Sequence, residues 1–109
     1  MALRSAGDLP DDADLARRAR RGEAAAYGEL VRRHQQAVFN VCYRLLGHRQ
    51  EAEDAAQEAF LRAYARLETF DLSRPFGPWM RRVAANLCLN HLAGSWTTSA
   101  PRRPSRGQR

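Results

Sequence analysis

The sequence predicts an all-α fold, a compact bundle of three main helices preceded by a short N-terminal one. Apolar residues recur at spacings of three and four in three long segments, which end at glycine or proline. No stretch shows the period-two alternation of a half-buried strand. The chain has 109 residues and a hydrophobic fraction of 44%, which suits one small domain with one modest core.

The short first helix is predicted from about residue 13 to residue 21. Asp11 or Asp12 can cap its start, because a carboxylate can accept hydrogen bonds from the first backbone amides of a helix. Gly22 can end it. Residues 1–11 are expected to form a flexible N-terminus.

The second helix is predicted to begin near Glu23 and to end at Gly47, since the residue after a helix often takes a left-handed backbone. Its apolar positions are Leu30, Val31, Val38, Val41, Cys42, Leu45 and Leu46. The third helix is predicted over about 50–67, and the alanines of its buried stripe allow neighbouring helices to approach closely. That stripe comprises Ala52, Ala55, Ala56, Ala59, Phe60, Ala63, Tyr64 and Leu67.

Residues 68–75 break the helical periodicity, and Pro75 disfavours helical geometry at the residue before it. A fourth helix is predicted to begin near Phe76 or Pro78, because proline is tolerated in a first turn. It is predicted to end near Ala93. Its core-facing positions are Trp79, Val83, Ala84, Leu87, Cys88 and His91.

Charge is divided unevenly along the chain. Residues 1–71 hold 11 Arg against 12 acidic residues, whereas 72–109 hold 7 Arg and no acidic residue. This asymmetry indicates an anionic partner for the C-terminal part. The alternative is a basic disordered tail beside an ordinary helix. The folded domain is expected to span 12–93, and 94–109 is predicted to be a disordered basic tail, because it is polar and proline-containing without periodic apolar residues.

Arg82, Asn86 and Asn90 lie four residues apart on the fourth helix and therefore share one stripe. Asparagine is a mediocre helix former that can donate and accept hydrogen bonds together, as reading a base edge requires. Arginine beside it can hold phosphate. The alternative is a solvated polar face.

The loop before this helix is rich in aromatic residues. Phe70, Phe76 and Trp79 bracket the segment 71–74, which contains Asp, Leu, Ser and Arg. Aromatic rings beside arginine and small polar groups can stack on and hydrogen-bond an unstacked base. They can equally cover the core under a loop. The spacing of Trp79 favours the core, while Phe70 and Phe76 fit either role.

On the third helix, Asp54, Gln57, Glu58 and Leu61 lie along one side, at spacings of three, four and seven. Such a face can accept basic residues from a partner helix. The alternative for Glu58 is an intrahelical ion pair with Arg62.

No catalytic, cofactor or metal site is predicted. Cys88 and His91 lie three positions apart, as two ligands in one half of a zinc site do, but Cys42 would have to join them and a fourth ligand is not evident. Two cysteines in apolar helical patterns, with no secretory signal and no membrane-spanning run, favour the cytoplasm.

The run DAAQEAFLRAYARLETFD, followed by PWMRRVAANLCLNHL, resembles the conserved second region of extracytoplasmic-function sigma factors of bacterial RNA polymerase, within the sigma-70 family. The specific features are an AED-x-x-Q-E-x-F helix, a loop and a W-x-x-R-x-A-x-N helix, in that order. The resemblance covers about residues 12–92. It implies a non-enzymatic domain that binds core polymerase and recognises and helps to melt the −10 promoter element.

The resemblance also implies roles for individual residues. The third helix would bind the clamp coiled coil of the largest polymerase subunit, and the loop and last helix would hold the non-template strand with one base flipped out. The implied polymerase-binding residues are Asp54, Gln57 and Glu58, supported by Phe60 and Leu61. The implied DNA-binding residues are Phe70, Ser73, Arg74, Phe76, Arg81, Arg82, Asn86 and Asn90.

Complete members of this family carry a second helical domain that reads the −35 element, and this sequence is expected to lack it. Two other functions stay open on the sequence alone. One is a regulatory protein that occupies polymerase or an anti-sigma factor without supporting initiation. The other is a generic helical nucleic-acid binder, suggested by the basic C-terminal third.

Overall fold

The computed structural model describes residues 10–94, which fold into helices without any strand in that range. The predicted all-α bundle of three main helices and a short first one is confirmed. Within the described range, no helix has both the length and the apolar character needed to cross a membrane. Most of the predicted flexible N-terminus (1–11) and basic tail (94–109) lies outside the described residues, namely 1–9 and 95–109. The elements are α1 (Asp12–Arg20), α2 (Ala24–Leu46), α3 (Arg49–Ala65), a single 3-10 turn (Leu67–Thr69) and α4 (Phe76–Leu92).

The helix ends follow the predicted capping residues. The Asp11 carboxylate accepts a hydrogen bond from the Asp14 amide at 2.8 Å, so Asp11 is the N-cap of α1 and belongs to the folded part rather than to the predicted flexible segment. Gly47 ends α2 with a φ of 71°, and its amide donates to the Tyr43 carbonyl at 2.8 Å. Only glycine takes that backbone geometry without a steric cost, which fixes the end of α2.

The alanine stripe of α3 forms the centre of the bundle and packs against both α2 and α4. Its small side chains let the two neighbouring helices approach closely. Tyr64 is the exception to the predicted stripe: it is 44% exposed, and its ring packs on that of Tyr27 with centroids 4.8 Å apart. Tyr27 reaches α3 itself, because its hydroxyl donates to the Phe60 carbonyl at 2.6 Å, and this leaves Tyr64 at the edge. The buried members are Ala52, Ala55, Ala56, Ala59, Phe60, Ala63 and Leu67.

An aromatic cluster joins the loop after α3 to the start of α4. The Phe70 ring lies 5.5 Å from Phe76 and 4.9 Å from Trp79, centroid to centroid. His34 of α2 lies against Phe76 at 5.2 Å. Gly77 eases this approach, because a Cβ at that position would stand 3.1 Å from Arg81 Nη1 and 3.3 Å from His34 Cε1. The cluster therefore closes one end of the core and holds the loop to the bundle.

Cys42 of α2 and Cys88 of α4 are both buried with free thiols. The hydrogen bond between the two thiols and their burial raise the pKa of Cys42. Because the thiolate is the reactive form, this surrounding keeps Cys42 unreactive, as in an ordinary core position. Among the described residues, no three His, Cys, Asp or Glu side chains are grouped so that they could hold a metal ion.

The aromatic cluster generates a stability prediction. Phe76 is 1% exposed and among the largest fully buried side chains, so Phe76→Ala is expected to lower the free energy of unfolding by about 3–5 kcal/mol. Urea denaturation followed by circular dichroism measures it. Phe76→Leu, which keeps most of the volume, is the control and is expected to cost much less. A loss below about 1 kcal/mol in Phe76→Ala would contradict the packing described here.

Candidate nucleic-acid and protein interfaces

The predicted polar side of α3 lies on the surface. Asp54, Gln57 and Leu61 are exposed, Leu61 to 67%, and Glu58 is half-buried. Glu58 accepts a hydrogen bond from Arg62 Nε at 3.1 Å, which is the intrahelical pair named as the alternative for that residue. We call the exposed Asp54, Gln57 and Leu61, together with Glu58, the α3 face. Its mixture of carboxylate, amide and an exposed leucine suits a protein partner better than an anionic one.

An open groove of about 410 Å³ runs between α2 and α3 beside this face. Gln57 lies on the border of both, since it belongs to the α3 face and lines the groove. Phe60 also lines the groove, but its side chain is buried, so it supports the surface from below and offers little area for direct contact. The other lining residues are Val31, Gln35, Gln36, Phe39, Arg49, Glu53 and Ala56. An apolar floor with amide and charged edges suits a helix laid along it.

Charged groups border the end of the groove where α3 begins. The Arg49 guanidinium lies over the Phe39 ring at 5.5 Å and pairs with Glu53 at 3.5 Å. Gln50 donates to the Asp54 carboxylate at 3.1 Å. These contacts hold the polar side chains of the first two turns of α3 in place on the surface.

The loop between α3 and α4 is organised by one carboxylate. Asp71 Oδ1 accepts hydrogen bonds from the Ser73 amide at 2.9 Å and the Ser73 hydroxyl at 2.7 Å. The Arg74 amide donates to the Asp71 carbonyl at 2.9 Å, and Arg74 Nε lies 3.4 Å from the Asp71 carboxylate. This turn presents Ser73 and Arg74 to solvent. We call 71–74 the recognition turn.

The structure buries two loop aromatics for which the family resemblance implied a DNA-binding role. Phe70 and Phe76 are 2% and 1% exposed, so neither ring is available for stacking on a base in this conformation. The reason is the aromatic cluster, in which each ring covers the other and Trp79 is also partly buried. Their role is to fix the ends of the segment that carries Ser73 and Arg74.

On α4, the predicted stripe is exposed. Arg82, Asn86 and Asn90 all lie on the surface, and Arg81 is exposed beside them near Gly77. We call Arg82, Asn86 and Asn90 the α4 face. Between residue 72 and residue 94 the chain contains three Arg and no acidic residue, so this segment carries a net positive charge.

Sequence reasoning missed two residues of this region. Leu89 is 51% exposed, seven positions after Arg82, and therefore lies on the α4 face, where it can contact an apolar group such as a thymine methyl. In the sequence, the position of Leu89 among apolar residues of a helical pattern did not show whether its side chain is buried in the core or exposed on the surface. Arg20 of α1 lies against the carbonyls of the 3-10 turn, more than 45 positions further along the chain. No local signal in the sequence indicates so distant a contact.

Comparisons with known proteins agree with one another. A family model described as Sigma-70 region 2 matches residues 30–98. The ECF RNA polymerase sigma factor SigW of Bacillus subtilis is 40% identical over 73 residues, which cover 67% of this chain and 39% of that protein. The ECF RNA polymerase sigma-E factor of Haemophilus influenzae is 34% identical over 99 residues, 91% of this chain and 49% of that protein. The chain therefore spans less than half the length of these two relatives.

A solved structure shares the fold. It is an engineered region 2 of sigmaE, determined by NMR in complex with GTAAAA, and it matches with a TM-score of 0.75 and 33% sequence identity. The match covers 83% of this chain and 93% of that one. The arrangement of helices described above is thus that of the similar region 2.

The recognition turn generates a prediction about pH. Hydrogen bonds from the Ser73 hydroxyl and amide lower the pKa of Asp71, with Arg74 adding to the effect. Because this pKa is lower in the folded state than its ordinary value of 3.8, the ionised Asp71 carboxylate stabilises the turn at pH values above 3.8. That stabilisation is lost as the pH falls through the lowered pKa. We expect the NMR shift of the Ser73 amide to titrate with a midpoint below 3.8.

The matched control for this titration is Asp71→Asn. Its amide oxygen can still accept a hydrogen bond but cannot ionise, so the Ser73 shift should no longer follow pH in the acid range. A midpoint at or above 3.8 in the unaltered protein would show that the Asp71 carboxylate does not hold the turn.

Proposed function

The chain belongs to the Sigma-70 region 2 family, and we propose that it binds core RNA polymerase through the α3 face and the −10 promoter element through the recognition turn and the α4 face. The observation that carries this proposal is the presence of two exposed surfaces of different chemistry on separate helices of one small bundle. One is acidic, amide-rich and borders a groove, and the other is basic without any acidic residue after Asp71.

The α3 face and its groove suit a helical partner with basic side chains. Asp54 and Glu58 supply negative charge at the surface, Gln57 can donate and accept hydrogen bonds, and Leu61 offers an apolar contact. A coiled coil of the polymerase clamp is a partner of this kind. Because five of the six alanines of α3 are turned inward, these polar side chains can engage a partner without disturbing the core.

We propose that the basic surface holds a single DNA strand. Arg74, Arg81 and Arg82 can each contact phosphate, which supplies affinity without sequence preference. The asparagines of the α4 face and the Ser73 hydroxyl can read base edges. The similar sigmaE region 2 was solved in complex with GTAAAA, which supports a role for this chain in binding promoter DNA.

The energetics of that role are those of binding alone. Flipping a base out of the stack costs a few kcal/mol, and phosphate contacts from arginine offset part of that cost. The rigid recognition turn limits the entropy lost when the strand docks, because its hydrogen bonds exist before binding. We propose that the chain itself performs no chemistry and that the polymerase carries out the catalysis.

Asp54→Arg tests the polymerase surface. We expect it to weaken binding to core polymerase about tenfold, because it places a cation where the proposed partner is basic. The fold should be unaffected, since Asp54 is exposed. Fluorescence anisotropy of the labelled 109-residue chain, titrated with core polymerase, measures the effect.

Glu68→Arg is the matched control for that measurement. It makes the same charge change at an exposed position in the 3-10 turn, outside the α3 face, and should leave polymerase binding unchanged. Equal losses in both variants would indicate a general charge effect. If Asp54→Arg binds core polymerase as tightly as the unaltered chain, the α3 face is not the surface that binds polymerase.

Asn86→Ala and Arg82→Ala test the DNA surface as a pair. Single strands that vary GTAAAA one base at a time provide the panel of ligands. We expect Asn86→Ala to reduce discrimination between bases by about 1–3 kcal/mol at one position of the strand. Arg82→Ala is expected to weaken all strands alike and to lower the salt dependence of binding. A uniform loss in Asn86→Ala would show that Asn86 does not read a base.

A further inference from the structure

We propose that Arg20 of α1 is a positioning residue for the recognition turn, an inference that rests on the DNA-binding role proposed above. Arg20 lies in the first helix, outside both proposed interfaces. Its guanidinium nevertheless reaches the backbone that leads into the turn. The proposal is that this contact sets the orientation in which Ser73 and Arg74 meet the DNA strand.

The geometry is that of one guanidinium holding three backbone carbonyls. Arg20 Nε donates to the Leu67 carbonyl at 3.0 Å, and Nη2 donates to the Glu68 carbonyl at 3.2 Å. Nη2 also donates to the Phe70 carbonyl. The acceptors come from the 3-10 turn and from the residue directly before the recognition turn. Only arginine offers a planar fork of several donors that can match such a set.

The chain needs this contact because it leaves α3 at this point. The Leu67 carbonyl accepts the Phe70 amide at 3.1 Å within the 3-10 turn, and a carbonyl oxygen can accept a second hydrogen bond. The Arg20 guanidinium adds donors to this carbonyl and to those of Glu68 and Phe70, and so helps to fix the path of the backbone. Phe70 is thereby held on two sides, with its ring in the aromatic cluster and its carbonyl on Arg20. Asp71, which organises the recognition turn, is the next residue.

Arg20 is itself firmly placed. Leu15, Ala16 and Ala19 of α1 are buried in the core. The other end of α1 is tied to α2, because the Asp12 carboxylate lies 2.8 Å from His34 Nε2 and 3.1 Å from Arg33 Nη1. The recognition turn is therefore braced against α1 and α2, not only against the two helices that it connects.

The test compares Arg20→Ala and Arg20→Lys with Arg21→Ala. Arg21 is exposed and adjacent, so its truncation removes the same charge without touching the three carbonyls. Lysine at position 20 keeps the charge but is a point donor without the planar fork. Affinities for the strand panel built on GTAAAA measure the discrimination between bases. The affinity for core polymerase shows whether the α3 face still functions. The Ser73 amide resonance reports on the conformation of the recognition turn.

We expect Arg20→Ala to lose about tenfold in discrimination and to shift the Ser73 amide resonance, while polymerase binding stays unchanged. The discrimination shown by Arg20→Lys should lie between that of Arg20→Ala and that of the unaltered protein. Arg21→Ala should match the unaltered protein in discrimination and in the Ser73 shift. If Arg20→Ala does not fold, as judged by circular dichroism, Arg20→Lys takes its place with the same expected direction.

Three results would overturn the inference. One is full discrimination in a folded Arg20 variant. Another is a loss of discrimination in Arg21→Ala equal to that in Arg20→Ala, which would mean that the removed positive charge matters and the contact with the three carbonyls does not. The third is failure of the unaltered chain to bind any strand of the panel, which would refute the proposed DNA-binding role and this inference with it. The first two results leave the proposed function intact, so failure of the inference on Arg20 can be distinguished from failure of the proposed DNA-binding role.

Discussion

The alanine stripe of α3 is the constraint on which the rest of the structure depends. Because five alanines between Ala52 and Ala63 are buried, α2 and α4 can both lie close to α3, and one small core serves all the helices. The stripe also determines what is left outside. With alanine inward, the carboxylates and amides of α3 must face solvent, so the packing of the core creates the surface proposed for polymerase.

A second consequence concerns the loop. A segment between two helices is ordinarily among the more mobile parts of a protein. Here Phe70 and Phe76 anchor both ends in the core, and Asp71 closes a turn between them. The side chains that remain outside, Ser73 and Arg74, are presented on a fixed backbone next to the α4 face. Preorganisation of this kind lets a small domain bind a strand without first paying the full entropy of ordering a loop.

Much of this could be predicted from the sequence, because helical periodicity and capping residues are local signals. The helices, the Gly47 stop and the exposed stripes of α3 and α4 followed from them. The sequence could not decide whether Phe70 and Phe76 are buried, since spacing alone does not show which rings cover each other. It also could not reveal the contact of Arg20, which joins residues distant in the chain. The roles of the site residues in binding stay predictions.

The central claim is that polymerase and DNA occupy separate faces of one bundle. The most direct test is to add a labelled single strand containing GTAAAA to the 109-residue chain bound to core polymerase, and to follow all three by size-exclusion chromatography. The account predicts that they elute as one ternary complex, with the strand bound at least as tightly as by the chain alone. Displacement of the strand by polymerase would mean that both partners use the same face, and would contradict the account.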